Sequence, residues 1–181
     1  MRKLVVSEFI SVDGVIEAPE TWHFPYASDD MNAFNTERVK GYGAFLFGRV
    51  TYENFAGAWP NRSGEFADKL NNSPKFVVST TLKEANWNNS TLIKENVAEE
   101  IAKLKQQDGG NIGVTGSATL VQWLLQAGLI DVLYLSIDPI VVGHGKHLFK
   151  DGFDTLPMKL VDTKTFTSGS VVLTYQPDKK G

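Results

Sequence analysis

The sequence has no cysteine. That absence removes disulfide staples, thiolate nucleophiles and zinc–cysteine centres from consideration. Histidine is scarce, with three residues: His23, His144 and His147. Nothing at a suggestive spacing supplies them with further ligands, so no metal site is expected. No apolar run is long enough to span a bilayer. Met1-Arg2-Lys3 resembles the start of a secretion signal, but Glu8 and Asp13 interrupt any apolar core. The segment reads as the first strand of a cytoplasmic protein. Charge of one sign is nowhere concentrated: 18 basic against 21 acidic residues give a net charge of −3. Nucleic acid and membrane surfaces are therefore not expected partners. A Gly-x-Ser-x-Gly elbow is missing, and so is a Gly-x-x-x-x-Gly-Lys-Ser/Thr phosphate loop.

What is present is an alternation of strand-like and helix-like segments over 181 residues, a length that suits one domain, residues 1–181. Lys3 to Ile10 is β-branched and aromatic, as a buried strand requires. A loop follows at Ser11 to Ile16, then a helix from Asp29 and Asp30 to about Lys40, ended by Gly41-Tyr42-Gly43. Ala44–Phe47 and Phe76–Ser79 read as strands, with short helices from Thr51 and from Ser63 between them. A short strand at Thr91-Leu92-Ile93 precedes Asn96-Val97-Ala98-Glu99, a capping box that opens a further helix. Asn111–Thr115 is the next strand, Ser117–Ala127 a helix with Gly128 just past its end, and Asp131–Ile137 a strand. Lys159–Phe166 and Val171–Gln176 flank a turn and read as a hairpin. The expected fold is α/β: a three-layer α-β-α sandwich with a mostly parallel central sheet and a C-terminal antiparallel hairpin.

Three of the strands end alike. Phe45-Leu46-Phe47-Gly48-Arg49-Val50-Thr51, Phe76-Val77-Val78-Ser79-Thr80-Thr81 and Ile112-Gly113-Val114-Thr115-Gly116-Ser117-Ala118-Thr119 are apolar runs that stop at glycine or hydroxyl residues. Ligands of α/β sheets sit outside the carboxyl ends of strands, and helix N-termini there bind phosphate. Three such ends point to a nucleotide. Arg49 is either a solvated surface residue or a guanidinium aimed at a phosphate, for which its planar fork is suited. Ser117 and Thr119 suit ordinary helix capping, and a capped N-terminus with free N–H groups is also what a diphosphate uses. Val12-Asp13-Gly14-Val15-Ile16 is a turn or a loop that closes over a ligand. Trp22, Tyr52 and Trp59 line a pocket for a planar ring or belong to the core.

As an ordered set these motifs carry a resemblance. The set comprises Ser11-Val12-Asp13-Gly14, Gly48-Arg49-Val50-Thr51-Tyr52-Glu53, Val78-Ser79-Thr80-Thr81 and Gly116-Ser117-Ala118-Thr119-Leu120. Leu124 to Asp131 and Pro139 to Phe149 complete it. Over nearly its whole length the chain resembles the dihydrofolate-reductase-like proteins that share the C-terminal reductase domain of the riboflavin-biosynthesis deaminase/reductase. The resemblance implies an NADPH-dependent oxidoreductase, usually a homodimer, that passes a hydride to a small-molecule substrate of pyrimidine or pterin type. The reaction it most suggests is that of 5-amino-6-(5-phosphoribosylamino)uracil reductase; the alternatives are a dihydrofolate or pterin reductase and a non-catalytic NADP-binding sensor. The chain lacks a fused deaminase half and reads as a stand-alone domain.

By the same resemblance Phe47 to Thr51 and Gly116 to Leu120 hold the cofactor phosphates. Arg49 takes the 2′-phosphate, with Ser79, Thr80 or Thr81 beside it near the adenosine ribose. Val12, Asp13 and Gly14 close beside the nicotinamide, and Trp22 and Tyr52 meet the substrate. An acid at the start of the first helix, for which Asp30 is the choice, orients and protonates it. The adjacent glycines frequent in the family are here Thr115-Gly116.

Overall fold

A computed structural model describes residues 1–178. Six strands run parallel: β1 (Leu4–Ser11), β2 (Tyr42–Gly48), β3 (Lys75–Val78), β4 (Ser90–Ile93), β5 (Asn111–Val114) and β6 (Val132–Asp138). β7 (Met158–Thr165) and β8 (Val171–Pro177) form an antiparallel hairpin whose second strand pairs with β6. The sheet order is β4-β3-β2-β5-β1-β6-β8-β7. Five helices cover it: α1 (Asp29–Lys40), α2 (Arg49–Ala58), α3 (Glu65–Asn72), α4 (Val97–Gln106) and α5 (Ala118–Gln126). The fold class is the one read from the alternation of strands and helices.

Side chains alternate across a strand, and the two cores sort accordingly. Leu4, Val6, Leu46, Ile112 and Val114 pack against Ile101 and Leu104 of α4 and Leu120 and Leu124 of α5. On the other face Val5, Phe45, Phe47 and Val77 meet Val39 of α1, Tyr52 of α2 and Leu70 of α3. The chain thus travels outward from β1 through β2 and β3 with helices on one face, then returns through β5 and β6 with helices on the other. That is the right-handed crossover rule applied in both directions.

Three local readings are revised. β2 begins at Tyr42, not Ala44; Gly43 lies so close to Gly110 that a Cβ on it would stand 2.8 Å from the Gly110 nitrogen, room that glycine alone leaves. α2 starts at Arg49, directly after the last residue of β2, rather than at Thr51. The Asn96 capping box is not formed; Asn96 has φ of 53° and its side chain caps nothing.

Pro74-Lys75 carries an unusual element. Lys75 is fully buried, and its Nζ donates to the carbonyl oxygens of Leu70 (2.7 Å), Asn71 (3.1 Å) and Ser73 (2.7 Å). Those oxygens lie at the C-terminal end of α3, where carbonyls lack helical partners. The ammonium also sits 4.6 Å from the centre of the Trp87 ring. One cation therefore stops α3 and starts β3. Replacing it with an apolar isostere, Lys75→Met, leaves those oxygens unpaired and should cost at least about 2 kcal/mol. Urea unfolding would read this directly, and a loss within error would mean that solvent reaches the carbonyls.

Candidate functional site

β5 lies between β1 and β2, so the helices leaving β2 and β5 start side by side but run over opposite faces. Such a switch point opens a crevice at the carboxyl ends of the strands. Here it is built from two glycines. The Gly48 N–H donates to the Gly116 oxygen (3.3 Å), and a Cβ on Gly48 would collide with the Ser117 side chain. Gly116 has φ of +72°, and a Cβ there would stand 2.6 Å from Thr51 Oγ1. The Gly116–Ser117 peptide is cis. Neither α2 nor α5 has a side-chain cap at its start. The capping role read for Ser117 and Thr119 is therefore absent, and the leading N–H groups of two helices are left for another acceptor. The Thr115-Gly116 pair does not obstruct the approach, because the close contact is made by Gly116.

Beneath this turn lies a carboxyl group that the sequence reading passed over. Glu8 is buried on the α4–α5 side of β1, and its Oε1 accepts the Gly116 N–H at 2.6 Å. Burial pushes its pKa up to about 8, against the smaller opposing effect of that hydrogen bond. Glu8 is thus a neutral acid at pH 7, holding by one oxygen the residue whose carbonyl holds Gly48. The available signal was a single acidic residue inside an apolar strand.

Arg49 occupies the first turn of α2, where Nη1 bonds Glu53 Oε2 at 2.9 Å across one helical turn. It opens onto a shallow recess of about 840 Å³ shared with Thr81 and Lys83. Lys83, a second cation, was not singled out from the sequence. Thr80 and Thr81 are exposed, whereas the Ser79 hydroxyl accepts the N–H groups of Leu82 (2.9 Å) and Thr81 (3.2 Å) and so shapes the turn.

The segment after β1 folds back on the segment after β6. Val12 N–H donates to Ile140 O and Ile16 N–H to Lys146 O, while Val15 bridges His147. The Asp13 carboxylate accepts Ser11 Oγ (2.6 Å), Val142 N–H (3.0 Å) and Gly143 N–H (2.8 Å), which together pull its pKa down to about 2. Gly14, at φ of +88°, makes the bend. Val12 remains exposed.

The aromatic and acidic candidates fall in different places. Trp22 is buried, and its Nε1 donates to Glu17 O, stiffening the loop. Tyr52 is a core residue: it packs among Phe47 and Trp87, and its hydroxyl accepts the Trp87 N–H at 2.9 Å. The pocket-lining expectation for Tyr52 gives way to the core alternative. Asp30 sits in the first turn of α1 and accepts Ser28 Oγ, the Thr167 N–H (2.9 Å) and Thr167 Oγ1 (3.0 Å). The Ser28 hydroxyl, then the Thr167 amide, draw its pKa down to about 2. Its bonds tie α1 to the β7–β8 turn. Among the described residues no three acidic or histidine side chains gather as a metal site.

The RibD C-terminal domain family matches residues 2–172. The chain belongs to that family. The uncharacterised protein YyaP of Bacillus subtilis is 30% identical over 179 residues, covering 96% of this chain and 94% of that one. Solved structures share the fold, two of them as follows. A putative riboflavin biosynthesis protein from Shewanella sp. PV-4 superposes with a TM-score of 0.75 at 23% identity, over 98% of this chain and 99% of that one. Dihydrofolate reductase from Enterococcus faecalis, complexed with NADP(H), gives 0.66 at 17% identity, over 98% and 97%. No helix among the described residues is long and apolar enough to cross a membrane.

Two outcomes follow. Glu8 has a folded pKa of about 8 against 4.5 for an ordinary glutamate, so across that interval the folded chain keeps a proton that the unfolded chain has lost. Stability must then fall as pH rises through the window, by up to about 1.4 kcal/mol per pH unit, and level off above it. Glu8→Gln should flatten the dependence, which urea midpoints at several pH values will show; an unchanged slope would place the effect elsewhere. Asp13→Ala should speed hydrogen exchange at the Val142 and Gly143 amides while leaving β-sheet amides protected, and equal protection in both proteins would deny the tether.

Proposed function

We propose that the protein is an NADPH-dependent reductase acting on a small heterocyclic substrate. A ribosylaminopyrimidine of the 5-amino-6-(5-phosphoribosylamino)uracil type is the first choice and dihydrofolate or a related pterin the second. The observation that carries the reading is the Gly48–Gly116 approach, which sets two uncapped helix starts beside each other at the sheet's switch point. Backbone N–H groups converging from two helices suit a diphosphate, which one helix start alone would hold less firmly. Family membership and the NADP(H) carried by the E. faecalis enzyme support the choice of cofactor.

When bound, the cofactor supplies the hydride. The remaining work belongs to this chain. The starts of α2 and α5 take the diphosphate, Val50 and Thr51 on one side and Ala118, Thr119 and Leu120 on the other. Arg49, freed from Glu53, takes the 2′-phosphate, with Lys83 and Thr81 on the same recess. The Val12-to-Ile16 loop, already zipped to the segment after β6, covers the reacting end and excludes water.

Fluorescence titration with NADPH and NADH, followed by oxidation assays with both substrate classes, tests the reading. NADPH consumption with either acceptor is the expected result; tight binding without consumption would leave a binding module in its place. Arg49→Ala should weaken NADPH by about 1.5–3 kcal/mol, the value of a charged hydrogen-bonding group, and hardly affect NADH. Equal losses for the two cofactors would take Arg49 away from the 2′-phosphate.

A further inference from the structure

His23 and Asp138 form a buried pair at the other end of the same row of strand ends. Asp138 closes β6, paired in register with Ser11 at the end of β1, and is fully buried. His23 Nδ1 lies 2.6 Å from Asp138 Oδ2, and the ring is 7% exposed. The second oxygen, Oδ1, accepts Ser170 Oγ at 2.7 Å, and Ser170 Oγ in turn accepts Ser168 Oγ at 3.1 Å. The imidazole stacks on Phe9 of β1 with ring centres 3.6 Å apart and 20° between planes. Three separate parts of the chain (the loop after β1, the end of β6 and the β7–β8 turn) thus meet at one carboxylate, that of Asp138.

A purely structural histidine needs no carboxylate, and burying one is costly unless it is paired and hydrogen-bonded. Here the carboxylate is fixed by a hydroxyl on one oxygen and spends the other on the ring. The arrangement engages Nδ1 as an N–H donor to the carboxylate, which leaves Nε2 as the nitrogen open to a ligand. Nε2 makes no hydrogen bond to any described residue. The groups against the ring are Phe9 from β1, Phe24 from the same loop, and Asp138 from β6; the β7–β8 turn reaches the far oxygen of Asp138 through the Ser170 hydroxyl, itself bonded by Ser168. Asp138 is the charged group among these contacts. Asp30, bonded to Thr167 in that turn, is engaged only as an acceptor.

Resting on the reductase reading, we infer that His23 is the proton donor for the reduction, with Asp138 as its positioning residue. Hydride reaches the carbon of the substrate C=N or C=O group, and the π pair moves onto nitrogen or oxygen. That atom takes the Nε2 proton of the imidazolium. The dihydronicotinamide is oxidised to the pyridinium, the acceptor is reduced, and a neutral imidazole remains, reprotonated from water. The placement fits: the diphosphate end lies at β2 and β5, while β1 and β6 are the next strands along, each about 4.8 Å further.

The test compares wild type with His23→Gln and Asp138→Asn. NADPH is the reductant, and 5-amino-6-(5-phosphoribosylamino)uracil and dihydrofolate are the acceptors. Both variants should keep NADPH affinity within about threefold. Turnover in His23→Gln should fall about 10²- to 10⁴-fold, the usual value of a positioned acid. The pH dependence of turnover in His23→Gln should differ from that of the wild type. In unsubstituted protein the His23 Nε2 nitrogen-15 resonance should shift when the acceptor that the wild type reduces is added to the NADP-saturated form. A His23→Gln protein with unchanged turnover and pH profile overturns the assignment and leaves the reductase standing. So does an Nε2 signal indifferent to whichever of the two acceptors the wild type reduces, a measurement that holds even if both variants misfold. Wild type that binds no NADPH sinks the reductase reading itself, and the donor role with it.

Discussion

The contact between Gly48 and Gly116 governs the rest of the site. It brings two strand ends close enough for one backbone to hydrogen-bond the other, and nothing larger than hydrogen fits between Gly48 and Ser117. Everything proposed for the diphosphate end depends on that spacing. α2 must begin at once after β2, and α5 must begin with its N–H groups unspent. Glu8 reinforces the arrangement from below. A carboxyl kept neutral by burial can hold the Gly116 N–H without placing a formal negative charge under a proposed anion site.

The two ends of the crevice are built on different physics. The β2–β5 end brings backbone against backbone, Gly48 N–H to Gly116 O, with the Glu8 side chain fixing Gly116 from below, an arrangement that suits the proposed diphosphate. The β1–β6 end uses side chains tied across long sequence separations: Asp13 to Val142 and Gly143, Asp30 to Thr167, His23 to Asp138 and Asp138 to Ser170. Most of the charged groups there act as fasteners. Asp13 and Asp30 are saturated with donors, which keeps them ionised and occupied. Only the imidazole among them has a ring nitrogen without a partner in the described residues.

Much of this was legible from residue order. The apolar runs leading to Gly48, Ser79 and Gly116 marked the ends of β2, β3 and β5 because strand termination and helix initiation are local events with local signals. α1 was read to within its observed limits for the same reason, since Asp29, Asp30 and Gly41 mark its ends. What could not be read was pairing at a distance. Asp30 as a tether and the His23–Asp138 pair require knowing that the β7–β8 turn comes to lie beside α1 and the end of β6, and no short-range pattern encodes this. Tyr52 failed differently: an aromatic at helical spacing fits a core or a pocket equally until a partner such as Trp87 is known. Glu8 and Lys75 were passed over because a charge inside an apolar run looks like a surface interruption, yet both are buried and bonded to backbone.

The hairpin's attachment to β6 has a consequence for assembly on the ribosome. The turn between β2 and α2 and the turn between β5 and α5 are both complete once the chain has emerged to the end of α5. The histidine end is not, because Ser170 comes 44 residues after Gln126, the end of α5, and the strand that anchors it follows directly, after β6 and a long connecting segment. A nascent protein therefore completes the two uncapped helix starts proposed for the diphosphate well before the His23–Asp138 pair, so the two ends of the crevice are assembled at different times.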